Sequence, residues 1–226
     1  RSPEPFMKHF KERGLIVMHK TAGVRFCQTA ERVGVDAVAN VGYEGGGHPG
    51  MDDVSLMILI PKTVDAVKVP VVAAGGIGDA RGFVAALALG AEGVLMGTRF
   101  MCTKECPIHP KLKEWMVKAQ ETDTLMVTRS IRDAHRVMKT PTAYQVLGME
   151  SRNAQLEELL TVIGGANVKK MIANGDVNAG VMACGQVVGM INSVPTCKEV
   201  IDEMVNGAQE IWKRWQTQGI FAAAKR

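Results

Sequence analysis

The sequence predicts an α/β fold: a parallel sheet covered by helices on both sides, then a mostly helical region. Three observations predict it. Four short, almost wholly apolar runs occur in the first hundred residues, as expected for strands buried on both faces. A helix-favouring stretch follows each of the first three. The loops after the runs are rich in glycine.

Leu15-Ile16-Val17-Met18 reads as the first buried strand, after Gly14, with a helix over residues 23–33 that stops before Gly34. Residues 35–41 form a second strand, which leads into Gly42-Tyr43-Glu44-Gly45-Gly46-Gly47-His48-Pro49-Gly50. Asp53 is placed to cap a helix running to about Val67. Residues 69–74 are the third strand, followed by Gly75-Gly76-Ile77-Gly78; Asp79 starts a helix, Ala80 to Leu89, that ends at Gly90. Residues 93–96 are the fourth strand, leading into Gly97-Thr98. After Lys104 the pattern changes. Helices are expected over 110–121, 142–163 and 196–218, with a loop around Gly175 and Asn178. The last helix carries an apolar stripe, Ile201, Met204, Val205, Ala208, Ile211 and Trp212, suited to docking on the chain's own sheet. Four βα units do not close an eight-stranded barrel, which takes about 250 residues. The expectation is the C-terminal part of a (β/α)8 barrel, its last four units over residues 1–108, with a helical region over 109–226; the start at Arg1 fits a cut through a longer chain.

Composition excludes several function classes. Net charge is +4 with dispersed basic residues, unlike a nucleic-acid binder. The five cysteines are an odd number in a chain that is not short, which argues against a disulfide framework and for a reduced, cytoplasmic compartment. Neither a secretory signal nor an apolar run of about 20 residues is present. Cys102 and Cys106 lack a second Cys/His pair at matching spacing, so no metal is expected. Asp52-Asp53 reads as helix capping before it reads as a metal pair. Arg129, Arg132 and Arg136 read as a solvated face, or as a contact for an anion. His9, His19, His109 and His135 lack partners at diagnostic spacing and read as structural; Cys27 reads as core.

The chemistry-bearing residues fall at the C-terminal ends of the strands, where barrels and open α/β sheets bind ligands. Gly75-Gly76 and Gly97-Thr98 follow consecutive strands, and their backbone N–H groups suit a phosphate, although tight turns alone would also use such residues. His48 sits in a loop shaped by glycines and a proline, suited to proton transfer near neutral pH, or else simply exposed. Lys20 ends the first strand, either to offset negative charge on a ligand or as an ordinary surface cation.

The ordered set Val17-Met18-His19-Lys20, Gly45-Gly46-Gly47-His48-Pro49-Gly50, Ala74-Gly75-Gly76-Ile77 and Met96-Gly97-Thr98-Arg99-Phe100 resembles the nitronate monooxygenase (2-nitropropane dioxygenase) family. Ala85-Ala86-Leu87-Ala88-Leu89-Gly90-Ala91 fits the same pattern. The His48 loop with Asp52-Asp53, and residues 103–110, look most like a branch that reduces quinones with NADH. A third relative is the flavin-dependent enoyl-acyl-carrier-protein reductase, and the other alternative is an inactive barrel fragment that kept the fold and lost its catalysis. The resemblance implies an FMN-dependent oxidoreductase that oxidises alkyl nitronates with O2 or passes electrons from NADH to quinones. It implies Lys20, Gly46, Gly47, Ala74, Gly75, Gly76, Gly97 and Thr98 around FMN, and His48 as the catalytic residue facing a small-molecule substrate. A homodimer is compatible with it. The family's first strands also build the flavin pocket, so a piece without them is expected to bind FMN poorly by itself.

Overall fold

The computed structural model describes residues 2–220. Helix α1 (Glu4–Glu12) precedes the sheet. Four units follow: β1 (Met18–Thr21) and α2 (Val24–Val33), β2 (Ala37–Val41) and α3 (Leu56–Val64), β3 (Val71–Ala74) and α4 (Ala80–Ala88), β4 (Gly93–Leu95) and the one-turn α5 (Thr98–Met101). The strands are parallel in the order β1-β2-β3-β4. Val38, Ile60, Val71 and Ala73 are buried between sheet and helices, and Cys27 is fully buried with them. The expected cover of helices on both sides is not what forms: consecutive parallel strands joined by right-handed crossovers carry α2, α3 and α4 on one face, and Met18 and Lys20 of β1 are exposed.

Local chemistry sets most boundaries. Gly34 takes a left-handed C-cap after α2. The Asp79 carboxylate accepts the N–H groups of Arg81 and Gly82, a cap that contributes about 1 kcal/mol. The expected first strand is displaced. Leu15 and Ile16 stay exposed and β1 begins at Met18, because the chain turns at Gly14 (φ +63°) and joins the sheet only from Val17 onward. Nor does Asp53 cap α3. It holds φ +51° and pairs with Arg129 at 2.6 Å, while the Glu44 carboxylate accepts the Leu56 N–H at 3.1 Å from across the loop.

The second region is not purely helical. After α6 (Pro110–Lys118), β5 (Thr124–Val127) and β6 (His135–Met138) form an antiparallel pair. The run expected as one helix over 142–163 is two, α7 (Pro141–Glu150) and α8 (Leu156–Ile163). Asn153 in the left-handed region breaks it, and Gln155 with Glu158 makes a capping box that starts the second. Then come α9 (Gly165–Asn174), a 3₁₀ turn (Gln186–Met190) and α10 (Cys197–Thr217). Helix α10 docks on α4 through Val200 and Met204, and leaves Ile201, Val205 and Trp212 about half exposed. Among the described residues no helix is long and apolar enough to cross a membrane.

Candidate active site

At the C-terminal ends of β2, β3 and β4 lies a cavity of about 160 Å³. Lys20, Gly46, Ala74, Gly75, Gly76, Gly97 and Thr98, singled out from the sequence, all line it. The glycines are there for different reasons. Gly75 (φ +90°) and Gly76 (φ +70°) take a backbone conformation that disfavours side chains. A Cβ on Gly46 would come within 2.6 Å of the backbone at Cys184 and Gly185. Gly97 has neither constraint: its φ is −104°, and an added Cβ would meet no protein atom within 4 Å. The N–H groups of Gly76, Gly97 and Thr98 donate to no acceptor among the described residues. The cavity is therefore a cradle of free donors the size of a small anion.

One wall was not legible in the sequence. Ala183, Gly185 and Val187, from the second region, close the cavity. That segment is fastened across the strand ends: the Gly185 N–H donates to Thr98 Oγ1 at 2.9 Å, and the Gln186 N–H to the Glu44 carbonyl at 3.0 Å. The Thr98 hydroxyl oxygen thus accepts a hydrogen bond from the roof, while its backbone N–H stays free at the cavity.

A second cavity, about 850 Å³, opens beside the first, and Lys20 lines both. His48 lies in its wall with His19, Arg25, Arg132 and Asp133. The His48 ring stacks on His135 with centroids 4.4 Å apart and planes 13° from parallel, and His48 Nε2 is 3.4 Å from Asp133 Oδ2. Burial is the main reason the His135 pKa falls from 6.5 to about 4; His48 pushes the same way and Asp133 opposes. His135 is therefore neutral at physiological pH and belongs to the site, not to the background of structural histidines. His109 does serve structurally, accepting the Lys111 N–H at the start of α6.

The β5–β6 pair aims these groups. Gly47 (φ +78°) lies outside the smaller cavity and exchanges two backbone hydrogen bonds with Arg136, of 3.1 and 2.7 Å. The glycine loop is thereby stitched to β6 next to His135. Arg136 is not solvated, as the sequence alone implied: it is 2% exposed, lies 4.3 Å over the Tyr43 ring and donates to the Tyr43 carbonyl and to Thr124. Of the non-glycine residues with positive φ, Asp53, Thr128 and Arg132 all lie where the glycine loop meets the β5–β6 turn. Backbone strain of this kind collects where a site is held in one shape. The Glu150 carboxylate accepts the N–H groups of Thr128 and Ser130 and fixes that turn. Among the described residues, Asp52 and Asp53 are part of no group of three or more side chains able to hold a metal.

The sequence profile of the nitronate monooxygenase family matches residues 2–207. A (3aS,4S,5R,7aS)-5-hydroxy-7a-methyl-1-oxo-octahydro-1H-indene-4-carboxyl-CoA dehydrogenase of Rhodococcus jostii is 34% identical, over 88% of this chain and 66% of its own length. A probable nitronate monooxygenase of Bacillus subtilis is 40% identical over 56% of this chain and 38% of its own length. FabK from Thermotoga maritima superimposes with a TM-score of 0.89 at 35% identity, over 96% of this chain and 68% of that one. The chain thus spans 66% and 38% of the length of the two curated relatives and 68% of the FabK chain. With strand-end glycines, a fastened roof and a profile match over nearly its whole length, the chain belongs to the nitronate monooxygenase family.

Proposed function

We propose that this chain carries the phosphate-binding and substrate-facing part of an FMN-dependent oxidoreductase, its sheet being the last four strands of an eight-stranded barrel. The observation that carries the reading is the pairing of two cavities: a cradle of free N–H groups opens beside a larger space walled by His48, and Lys20 lines both. The residues fit FMN. Gly97 has open space where a Cβ would stand and no conformational need to be glycine, as expected where a ligand approaches the backbone. Gly75, Gly76, Gly97 and Thr98 would hold the phosphate through backbone N–H groups, with Gly46 and Ala74 as walls. Gly47 would act through the bridge to Arg136 rather than by contact.

Bound FMN supplies the redox chemistry, and the protein positions and polarises. Lys20 sets a cation at the wall common to both cavities, where it offsets negative charge. His48 presents its imidazole to the substrate and holds or moves a proton, with Asp133 facing Nε2. Alkyl nitronates with O2, or quinones with NADH as donor, are the substrates the family resemblance implies. A second reading, a thioester substrate, is favoured by Arg25 and Arg132 in the wall of the larger cavity, cations suited to an anionic carrier group. The relative from R. jostii is named for a CoA thioester.

The test uses the native protein that carries this chain. Purified protein, and a Gly97→Val variant, are gel-filtered with FMN and the bound flavin is read by absorbance. Wild type retains flavin; the variant folds with an unchanged Tm and does not. Equal retention by both would overturn the cradle. Anaerobic bleaching by NADH, or by propyl nitronate, then separates the quinone and nitronate readings. Reoxidation by an enoyl thioester after NADH reduction marks the thioester reading.

A further inference from the structure

Beside the His48 cavity lies a third space, of about 370 Å³, under the loop that joins His48 to α3. We propose that it is a second substrate compartment, taking an unbranched apolar arm of the molecule whose reacting head sits against His48. The proposal rests on the reading of the larger cavity as the substrate site, and goes on to name what the substrate carries.

Chemistry and continuity support it. The floor and walls are Val24, Val41, Pro49, Val54, Ile58 and Leu59, whereas the charged lining residues are Arg25, Asp52, Asp53 and Lys62. Ala22, Arg25 and Asp52 line both this space and the His48 cavity. Arg25 and Asp52 are exposed and form no salt bridge among the described residues; Arg25 rests 4.7 Å over the Phe26 ring. Exposed side chains of this kind change rotamer in picoseconds to nanoseconds, so the partition is easily opened.

The space is a hollow open to solvent, since Arg25, Asp52, Asp53, Ile58 and Lys62 in its lining are exposed. At roughly 30 Å³ per water, 370 Å³ takes on the order of a dozen water-sized groups, or an arm of about ten carbons. The loop above does not collapse into it because it is fastened at several points. Gly50 (φ +87°) lies so close to Ala22 that a Cβ would stand 2.9 Å from the Ala22 carbonyl oxygen. Asp53 is kept at φ +51° by Arg129, and the Tyr43 N–H donates to the Val54 carbonyl at 2.9 Å. A strained, well-fastened loop over an apolar hollow is a built feature. Ile58, 60% exposed on the first turn of α3, supplies a large apolar side chain to its lining.

The experiment is a chain-length series on the FMN-loaded native protein. Alkyl nitronates from propyl to decyl, and a benzoquinone with and without a decyl chain, are compared in wild type and Ile58→Trp. Burying each methylene favours the bound state by about three- to four-fold, so wild-type kcat/KM should climb by that factor per carbon and then level off. Ile58→Trp fills the space and should abolish the climb, leaving the shortest member unchanged. A flat wild-type profile, or an equal loss for every chain length in the variant, overturns the proposal. Binding is measured separately by calorimetric titration with decanoate. Binding to wild type and none to Ile58→Trp upholds the compartment even where no nitronate or quinone turns over, which would count against the functional reading alone. No decanoate binding to wild type, or equal binding to both, overturns the compartment.

Discussion

His135 should make this fold sensitive to mild acid, and replacing it by phenylalanine should remove that sensitivity. Its pKa in the folded chain is depressed from 6.5 to about 4, chiefly by burial. The unfolded chain therefore takes up a proton as pH falls below 6.5, while the folded chain holds His135 neutral until about 4. Stability contributed by the neutral ring is complete above 6.5, falls through that window, and stays flat below it. The difference of about 2.5 units corresponds to roughly 3 kcal/mol in total, of which about 2 kcal/mol is lost between pH 7 and pH 5. Phenylalanine keeps a flat ring against His48 and cannot titrate. Urea unfolding of wild type and His135→Phe at pH 7, 6 and 5 reads the effect, because the change in pH dependence between the two isolates this residue from carboxylates that titrate in both. Wild type should lose about 2 kcal/mol more than the variant over that range. Parallel losses in the two proteins would mean that His135 titrates as an exposed histidine, and would refute its placement against His48.

Thr98→Val should leave the Gly185 N–H buried without its 2.9 Å partner, at a cost of about 1–3 kcal/mol in urea unfolding, and should loosen FMN even though the Thr98 side chain points at the roof. At Asp53, two substitutions should separate strain from charge. Asp53→Gly relieves the positive φ while losing a partly exposed ion pair, so it should change stability by less than about 1 kcal/mol, whereas Asp53→Val keeps the strain, loses the pair and should cost about 1–3 kcal/mol. Thermal unfolding of both variants checks the order; equal losses would remove strain from the account of this loop.

How much of this was legible in the sequence depended on how local the cause was. The parallel sheet announced itself through strand runs that are apolar on both faces, and the cap at Asp79 and the stop at Gly34 are decided within a few residues. The Gly75-Gly76 and Gly97-Thr98 loops could be placed together because consecutive strands of a parallel sheet must end on the same side. What failed was decided by partners far along the chain. Asp53 looks like a helix cap until Arg129, 76 residues away, pairs with it. Arg136 looks solvated until Tyr43 and Thr124 enclose it. His135 has no partner at any diagnostic spacing because its partner, His48, arrives from the other region. The strands β5 and β6 are four residues each, and nothing in their periodicity outweighs the helical stretches on either side.

These misses share one physical origin, which bears on how the site works. The βα units supply the cradle and carry His48, but they do not enclose either. The roof over the small cavity comes from residues 183–187, and the groups that face His48 come from residues 132–135. Each is fastened to a strand-end loop by hydrogen bonds of its backbone, Gly185 to the Thr98 hydroxyl and Gln186 to the Glu44 carbonyl at one place, and Arg136 to Gly47 at the other. A glycine-rich loop left to itself would sample many conformations, at an entropy cost each time it had to be set in order. Stitched to β6, it holds one. Substitutions in the second region, at Arg136 or Gly185, are therefore expected to act on the site as directly as substitutions in the sheet, although neither residue belongs to the strand-end motifs singled out from the sequence.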